Sequence, residues 1–396
     1  MTFRTLEGAD LRDKRALVRV DFNVPVQDGR VADEDRLKAA LPTIEVLRKA
    51  GARVILMSHF GRPEGKRVPS LSLKPLVGPL AKLIGAPVAF ADDCVGEVPA
   101  VAERSLAPRG VLLLENLRFH SGEEADDPEF AQELARLADI YVDDAFSAAH
   151  RAHASIERIA HLLPAYAGES MRRELAALDQ ALGHPKRPVL GIVGGAKTST
   201  KLEVLENLLQ KLDWLAIFGG IANTFLRAQG WEIGASDFEP DLLDKAREIV
   251  GKASWRGCEL ILPIDVVVSD IAGSGRDARV RRLGEIQPHE RILDVGPHSV
   301  EQLNRIMDAA KTLIWNGPLG VFETPPFDRG TVAVAEHAAA LTRAGKLVAV
   351  AGGGDTAAAL HVAKLASSFT FVSTAGGAFL EWLAGKPLPG LVALGA

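Results

Sequence analysis

Short apolar runs and longer helix-like segments alternate along the whole chain, and this alternation limits the possible folds more than any other feature. Many runs contain β-branched residues and end in glycine or polar residues, after which helical spacing resumes. Such an order is typical of parallel sheets with helices on both faces. The runs are Ala16–Val20, Arg53–Met57, Val111–Leu114, Ile140–Val142, Val189–Val193, Trp214–Phe218, Leu260–Val268, Thr312–Trp315, Leu347–Ala351 and Phe369–Val372. They predict two doubly wound α/β lobes.

A long helix is predicted between the two halves of the chain. Its apolar residues recur at helical spacing and are Met171, Leu175, Leu178 and Leu182. The segment Gly183-His184-Pro185 would end this helix. We therefore predict a first lobe over 1–168, a connector helix over 169–183 and a second lobe over 184–387. An ordinary crossover helix inside one domain is the alternative.

Composition excludes several classes of protein. The 46 basic and 51 acidic residues give a formal net charge of −5, which argues against a broad nucleic-acid surface but allows a local basic cleft. The two cysteines, Cys94 and Cys258, are far apart and indicate neither a disulfide framework nor a cysteine-rich metal site. Residues 1–10 do not resemble a secretory signal, and no apolar stretch reaches the ~20 residues that span a bilayer. We expect a cytoplasmic protein without a membrane partner.

The first half carries arginine and histidine directly after its predicted strands. In open parallel sheets, ligands bind beyond the carboxyl ends of the strands. The planar guanidinium fork binds carboxylate or phosphate with two parallel hydrogen bonds. Arg36 is predicted in the first turn of a helix that Asp33 can cap. The candidate residues for an anionic ligand are Asp21, Asn23, Arg36, His59, Arg62, Arg118, Arg151 and His153.

In the second half, Gly194-Gly195-Ala196-Lys197-Thr198 follows a strand and opens a predicted helix, an arrangement that attracts phosphate. Lys197 and Lys201 would add positive charge on one helix face. A Walker A loop is the alternative, and Gly191 is correctly spaced for it. However, Ala196 stands where that motif has glycine before the lysine.

The segment 352–357, Gly-Gly-Gly-Asp-Thr-Ala, also follows a strand and partly resembles a dinucleotide fingerprint. The acidic residue expected about 20 residues later in a nicotinamide dehydrogenase is absent. Asp355 instead suits Mg²⁺, which takes one or two carboxylates together with substrate phosphates. Further glycine-bearing turns that could line a nucleotide site are Gly219-Gly220, 316–320 and 375–377, with Glu323 close behind as a ribose contact.

Taken together, these segments closely resemble the phosphoglycerate kinase family. The matching motifs run nearly end to end and in order. They are 19–25 (RVDFNVP), 58–63 (SHFGRP), 115–119 (ENLRF), 150–155 (HRAHAS), 194–197 (GGAK), 315–323 (WNGPLGVFE) and 352–356 (GGGDT).

The resemblance implies two similar-sized lobes, each a doubly wound, mostly parallel sheet with helices on both faces, joined by a hinge helix, with the tail 388–396 packing back on the first lobe. It implies a monomeric kinase whose first lobe binds 3-phosphoglycerate and whose second lobe binds Mg²⁺ with ATP or ADP.

The implied catalytic residues are Arg36, Lys197, Gly376 and Gly377. The implied acid-substrate residues are Asp21, Asn23, Arg36, His59, Arg62, Arg118 and Arg151. The implied nucleotide residues are Lys201, Gly219, Gly220, Asn316, Glu323, Gly353, Gly354, Asp355 and Thr356, of which Asp355 is the metal contact, mainly through the nucleotide phosphates.

Two segments depart from the family pattern. Ala375 stands where the family usually has glycine, which restricts the backbone of the late glycine turn. Ser147-Ala148-Ala149 replaces the usual Gly-Thr-Ala. Neither change removes a charged residue. Two alternatives remain open from the residues alone, a nicotinamide dehydrogenase and a non-catalytic two-lobed binder of sugar phosphates or nucleotides.

Overall fold

The computed structural model describes residues 3–27, 30–270 and 277–395, and their contacts divide the chain into two compact units. Unit 1 comprises Met1–Leu175 and Pro387–Ala396, and unit 2 comprises Ala176–Lys386. Each unit contains a six-stranded parallel sheet. In the described part of the chain, no helix is long and apolar enough to cross a membrane.

The strands of unit 1 are β1 (Arg15–Arg19), β2 (Val26–Gln27), β3 (Arg30–Val31), β4 (Arg53–Met57), β5 (Val88–Ala91), β6 (Val111–Leu114), β7 (Ile140–Asp143) and β8 (Ala165–Ala167). Its sheet has the order β5-β6-β4-β1-β7-β8, while β2 and β3 form a separate antiparallel pair. The helices are α1 (Asp35–Lys49), α2 (Val77–Ile84), α3 (Glu97–Arg104), α4 (Ser121–Glu124), α5 (Pro128–Ala135) and α6 (Glu169–Leu178), the last of which crosses the boundary between the units.

Both faces of the first sheet are buried. Side chains alternate across a strand, so Ala16 and Val18 of β1 pack in one apolar cluster and Leu17 packs in another. Leu37, Ile44 and Leu47 of α1 lie in the first cluster, which explains the spacing of apolar residues in that helix. Such two-sided burial explains why the strands read as continuous apolar runs.

The strands of unit 2 are β9 (Val189–Val193), β10 (Trp214–Ile217), β11 (Glu259–Ile261), β12 (Asp265–Ser269), β13 (Arg279–Arg282), β14 (Arg291–Val295), β15 (Thr312–Asn316), β16 (Val348–Gly352) and β17 (Phe371–Ser373). The parallel sheet has the order β11-β10-β9-β15-β16-β17. The helices are α7 (Leu202–Leu208), α8 (Gly220–Ala228), α9 (Leu243–Arg256), α10 (Pro297–Ala309), α11 (Arg329–Arg343), α12 (Gly354–Val362) and α13 (Gly376–Leu383), and the final helix of the chain, α14 (Pro389–Ala393), belongs to unit 1.

The prediction of one strand over Leu260–Val268 is wrong. The structure places β11 in the parallel sheet and β12 in a separate antiparallel sheet with the order β13-β12-β14. Pro263 lies between the two strands. Proline lacks the N–H that a central strand donates, so one strand cannot continue through it.

The helix predicted over 169–183 is α6 followed by a π-helical turn, Asp179–Gly183. Asp144 caps it from the loop after β7, because its Oδ1 accepts the N–H groups of Ser170 at 2.8 Å and Met171 at 3.1 Å. Asp144 is buried, and this burial raises its pKa to about 7. The start of α6 is therefore capped by a carboxyl group whose ionised form is disfavoured by burial.

Candidate functional site

The polar residues predicted in unit 1 follow the carboxyl ends of neighbouring parallel strands. Asp21 and Asn23 follow β1, while His59 and Arg62 follow β4. Arg118 follows β6 in a 3₁₀ turn, and Arg151 follows β7. Because the strands are parallel and adjacent, these segments lie at one edge of the sheet.

Arg36 lies at this edge through an ion pair with Asp21. Its Nη1 is 2.6 Å from Asp21 Oδ2, which also accepts a hydrogen bond from Ser147 Oγ at 2.5 Å. Burial alone would raise the pKa of Asp21, but its charged and hydrogen-bonded neighbours hold that pKa below the usual value. About one third of the Arg36 side chain is exposed, so the guanidinium keeps donors for a ligand.

The cap of α1 differs from the prediction. Glu34 occupies the N-cap position and makes no capping hydrogen bond with its side chain. Asp33 Oδ1 instead accepts the N–H of Asp35 at 2.7 Å. Arg36 nevertheless lies in the first turn of the helix, as predicted.

Asn23 and Arg118 both bind the backbone of Gly61. Asn23 Oδ1 accepts the Gly61 N–H at 3.0 Å, and Arg118 Nη1 donates to the Gly61 carbonyl at 2.8 Å. Arg62 is the next residue and its side chain is exposed. These hydrogen bonds therefore fix the backbone from which Arg62 projects.

The predicted substrate residue His59 is oriented by Arg19, which the prediction did not assign to the site. Arg19 Nη2 is 3.1 Å from His59 Nδ1. Arginine only donates, so His59 accepts at Nδ1 and carries its proton at Nε2. Burial, assisted by the Arg19 charge, lowers the pKa of His59 well below its ordinary value. His59 is therefore a neutral hydrogen-bond donor at neutral pH.

A buried carboxylate balances Arg19. Arg19 Nε donates to Ser155 Oγ at 2.9 Å, and Ser155 Oγ donates to Glu123 Oε1 at 2.6 Å. Glu123 also accepts the Ser155 N–H at 3.0 Å. Burial raises the pKa of Glu123, and the Arg19 charge opposes that rise. An arginine at the last position of an apolar strand is the sequence feature that indicates such a network, because a buried charge needs a partner.

Positive charges accumulate near His153. Burial, assisted by the positive charges of Arg118, Arg19 and Arg151, lowers the pKa of His153 to about 3. Burial also lowers the pKa of Arg118. The Glu124 carboxylate opposes this shift, and the positive charges of Arg151 and Arg19 add to it. Like charges placed this close repel one another, so an anion that binds among them gains free energy.

In unit 2, Asn316 joins the ends of two strands to a lysine. Asn316 Nδ2 donates to the Gly352 carbonyl at 2.7 Å, and its Oδ1 accepts a hydrogen bond from Lys201 Nζ. Burial lowers the pKa of Lys201 to about 8, although the Asp355 charge opposes this shift. Lys201 is the N-cap residue of α7 rather than a residue one helical turn beyond Lys197, because a 3₁₀ turn, Thr198–Thr200, intervenes.

Gly353 requires the freedom of glycine. Its φ is +100°, and an added Cβ would lie 2.7 Å from Asn316 Nδ2. Gly353 is also the N-cap of α12, so Gly354, Asp355 and Thr356 form the first turn of that helix. Thr356 Oγ1 accepts the Gly317 N–H at 2.6 Å, which ties this turn to the end of β15.

A cavity of about 460 Å³ lies beside these turns within unit 2. Five of the predicted residues line it, namely Lys197, Gly219, Gly220, Glu323 and Asp355. Apolar side chains that the prediction did not name form other walls of the cavity, among them Phe218, Leu226 and Leu293. The cavity therefore combines an apolar part with charged groups, as nucleotide sites do.

Gly376 and Gly377 form the start of α13. A Cβ added to Gly376 would lie 3.6 Å from the Gly354 nitrogen, so the N-termini of α12 and α13 are close together. Ala375 has φ −88° and ψ +62° and needs no left-handed backbone. Alanine is therefore accommodated where the family usually has glycine.

Sequence similarity decides the family. The phosphoglycerate kinase profile matches residues 6–386, which is nearly the whole chain. The chain belongs to the phosphoglycerate kinase family. A phosphoglycerate kinase of Caulobacter vibrioides (strain NA1000 / CB15N) is 63% identical over 394 residues, with 100% of both chains covered. One from Rhizobium meliloti (strain 1021) is 55% identical over 392 residues and covers 99% of this chain and 98% of its own.

Solved phosphoglycerate kinases share the fold. The structure from Coxiella burnetii superposes with a TM-score of 0.92 at 41% identity and covers 100% of this chain and 99% of its own. The structure from Pyrococcus horikoshii OT3 has a TM-score of 0.84 at 30% identity, with 100% and 98% covered. The predicted family and the predicted fold of two parallel-sheet α/β domains are thereby confirmed.

Proposed function

We propose that this chain catalyses reversible, Mg²⁺-dependent phosphoryl transfer between ATP and the carboxylate of 3-phosphoglycerate, giving ADP and 1,3-bisphosphoglycerate. Membership of the phosphoglycerate kinase family supports this reaction and its place in glycolysis and gluconeogenesis. The enzyme is thus a phosphotransferase with a carboxyl group as acceptor. The family also argues against the dehydrogenase and non-catalytic alternatives.

The acid substrate is assigned to unit 1. Its phosphate and carboxylate would bind to Arg62 and to the neighbouring positive charges of Arg118 and Arg151 beside His153. The neutral His59 would donate from Nε2, and Asp21 and Asn23 would bind substrate hydroxyl groups. The observation that carries this assignment is that Arg62, Arg118 and Arg151 all follow the carboxyl ends of neighbouring strands of one sheet.

The nucleotide is assigned to the cavity of unit 2. Its base would lie against Phe218 and Leu226, and Glu323 would accept ribose hydroxyl hydrogen bonds. The phosphates would meet Lys201 and the N–H groups that open α12 and α8. Gly219, Gly220, Asn316, Gly353, Gly354 and Thr356 would shape this phosphate site.

Asp355 fits the magnesium ion. It is an exposed carboxylate in the first turn of α12, and it lines the nucleotide cavity. Mg²⁺ commonly combines one or two carboxylates with nucleotide phosphates and waters. When bound there, the ion would offset negative charge on the phosphates.

The chain's own groups position the reactants and neutralise charge. The acceptor carboxylate is already ionised at neutral pH, so no general base is required. We propose direct in-line transfer without a phosphoenzyme. Arg36 would contact the reacting carboxyl group, and Lys197 would follow the phosphoryl group during transfer. The N–H groups of Gly376 and Gly377 would bind its oxygens.

One assay tests the proposed reaction. Purified protein is supplied with ATP, Mg²⁺ and 3-phosphoglycerate, and formation of the acyl phosphate product is measured by a coupled reaction. We expect product only when all three are present. ADP release that does not depend on 3-phosphoglycerate would indicate a hydrolase, and no turnover at all would leave only a binding protein.

Three broader expectations accompany this function. We propose that 1–168 with 388–396 binds the acid substrate, that 184–387 binds the nucleotide, and that 169–183 connects them. We further propose a cytoplasmic monomer with small-molecule substrates only, because the family resemblance implies it. Size-exclusion chromatography with light scattering would test the monomer.

A further inference from the structure

Cys94 lies beside two other potential metal ligands in unit 1. Asp93 and Cys94 occupy the bend between β5 and α3, and His120 follows the 3₁₀ turn after β6. The ligand atoms of these three residues all lie within 4.8 Å of one another. Strands β5 and β6 are neighbours in the parallel sheet, which explains why residues so far apart in sequence meet.

We propose that Asp93, Cys94 and His120 form a binding site for a zinc-like divalent ion, distinct from the magnesium site of the nucleotide. Thiolate, imidazole and carboxylate are the ligands of tetrahedral zinc sites. Thiolate ligation also disfavours Mg²⁺, which prefers oxygen ligands. Three protein ligands leave the fourth position for water, as in open zinc sites.

The ligand atoms, which lie within 4.8 Å of one another, would have to adjust to roughly 3.3–3.6 Å separations around a tetrahedral zinc ion. His120 Nε2 and Asp93 Oδ1 are 2.7 Å apart as hydrogen-bonded partners. Two such ligands on a tetrahedral zinc ion with bonds of about 2.0–2.1 Å would lie roughly 3.3 Å apart. The ion would replace the shared proton between them, and Cys94 would lose its thiol proton on binding. About one third of both the Asp93 and His120 side chains is exposed, which provides a route for the ion.

The surroundings favour a cation at this position. Cys94 is buried, and the carboxylates of Asp93, Glu123 and Glu115 act on its thiol electrostatically. These carboxylates would attract a divalent cation. An inert core cysteine beside a simple Asp93–His120 ion pair is the competing interpretation.

Cobalt substitution distinguishes the two interpretations without using kinase activity. The protein is freed of metal with a chelator and titrated with Co²⁺ in the absence of nucleotide. We expect the near-ultraviolet charge-transfer absorption of a cobalt–thiolate bond, saturating at one ion per chain. Zn²⁺ should displace it, whereas an excess of Mg²⁺ should not.

The chain supplies a matched control, because its only other cysteine, Cys258, is also buried and, among the described residues, lies in no such cluster. Cys94→Ala should abolish the absorption, and Cys258→Ala should retain it. His120→Asn should weaken Co²⁺ binding at least about tenfold. Circular dichroism would verify the fold of each variant.

Two results would overturn the site. The first is a wild-type protein that develops no cobalt–thiolate absorption, which needs no variant to interpret. The second is absorption that survives Cys94→Ala or disappears with Cys258→Ala. If Cys94→Ala does not fold, the partly exposed His120 still decides the question, because unchanged affinity in His120→Asn contradicts the proposed ligand set.

Discussion

Arg36 is held by an ion pair with Asp21 at 2.6 Å, which places a guanidinium at the sheet edge before any substrate contributes. Ser147 Oγ shares the same carboxylate oxygen. This arrangement restricts the side chain, and a restricted donor loses less conformational entropy when a transition state forms. The pair is therefore a positioning device rather than a source of stability, because partly exposed ion pairs contribute little.

We predict that Arg36→Ala lowers kcat by about 10²–10³, the usual effect of losing one preorganised donor to developing charge. The affinity for ATP should remain unchanged, since the nucleotide is assigned to unit 2. Steady-state kinetics and calorimetric titration with an ATP analogue would measure the two effects. Lys38→Ala, an exposed residue of the same helix, is the matched control. An unchanged kcat in Arg36→Ala would remove Arg36 from the chemistry.

The lowered pKa of Lys201 leads us to predict that nucleotide binding depends on pH. Burial lowers its pKa to about 8, so it carries a positive charge below that pH and loses it above. Bound phosphates would favour the charged form and raise this pKa. The affinity for ADP should therefore fall as pH rises from about 8, by up to about tenfold per pH unit, whereas nucleotide phosphates are already ionised there.

Calorimetric titration with ADP between about pH 7 and 10 would measure this fall. Lys201→Arg should flatten the profile, because a guanidinium stays charged throughout the range. Adenosine has no phosphates and serves as the ligand control, with an affinity that should not change. A wild-type affinity for ADP that is constant over the range would contradict the assigned role of Lys201.

At the scale of elements, the start of α6 depends on Asp144. Its Oδ1 accepts two N–H groups of the first turn, and its pKa is raised to about 7. The unfolded carboxyl group has a pKa near 3.9. Between about pH 4 and pH 7 the folded state therefore binds a proton that the unfolded state has released, and this contribution to stability is lost as pH rises.

In the wild type we expect the free energy of unfolding to fall by up to about 1.4 kcal/mol per pH unit between about pH 4 and 7. We predict that Asp144→Asn abolishes this fall. Asparagine keeps an acceptor oxygen, so the cap itself should remain. Asp144→Ala removes the acceptor and should cost about 1 kcal/mol at all pH values. Hydrogen exchange of the Ser170 and Met171 amides would measure local stability. Equal pH slopes in wild type and Asp144→Asn would refute the assigned protonation.

Elements were predictable where the chain's local pattern decides the structure. The predicted bounds of β4, β6 and β9 agree with the observed strands, since buried parallel strands read as unbroken apolar runs. β5 and β8 were missed, because their alanine-containing runs of four and three residues are too short to show a pattern. The separate antiparallel sheet was missed because its central strand, β12, continues an apolar run past Pro263.

The candidate site was likewise predictable only in part, in the positions of its residues along the chain. The positions of Arg118 and Asp355 beyond the carboxyl ends of strands were predictable, because an apolar run precedes each of them, while their roles stay predictions. The link from Arg19 through Ser155 to Glu123 was not, since it joins residues 136 and 32 positions apart through side-chain contacts. The apolar walls around Phe218 and Leu226 also require the folded chain, because nothing in their local sequence distinguishes a cavity wall from core.

At the scale of the whole molecule, the two assigned ligands belong to different units. Phosphoryl transfer requires the reacting atoms to come within about 3–3.5 Å. Water must also be excluded, because it would otherwise accept the phosphoryl group. We therefore expect the enzyme to change conformation when both ligands bind, with residues 169–183 as the neighbouring connector.

Small-angle X-ray scattering would test this change in four states: without ligand, with 3-phosphoglycerate, with Mg²⁺ and a non-hydrolysable ATP analogue, and with all of them together. We predict a smaller radius of gyration in the last state than in any other. A ligand shifts a conformational equilibrium only as far as it binds the compact form more tightly than the other form. Each ligand alone should therefore produce less compaction than the two ligands together. Four identical profiles would contradict ligand-driven closure, and the reaction would then require that the reactants already meet in the unliganded arrangement.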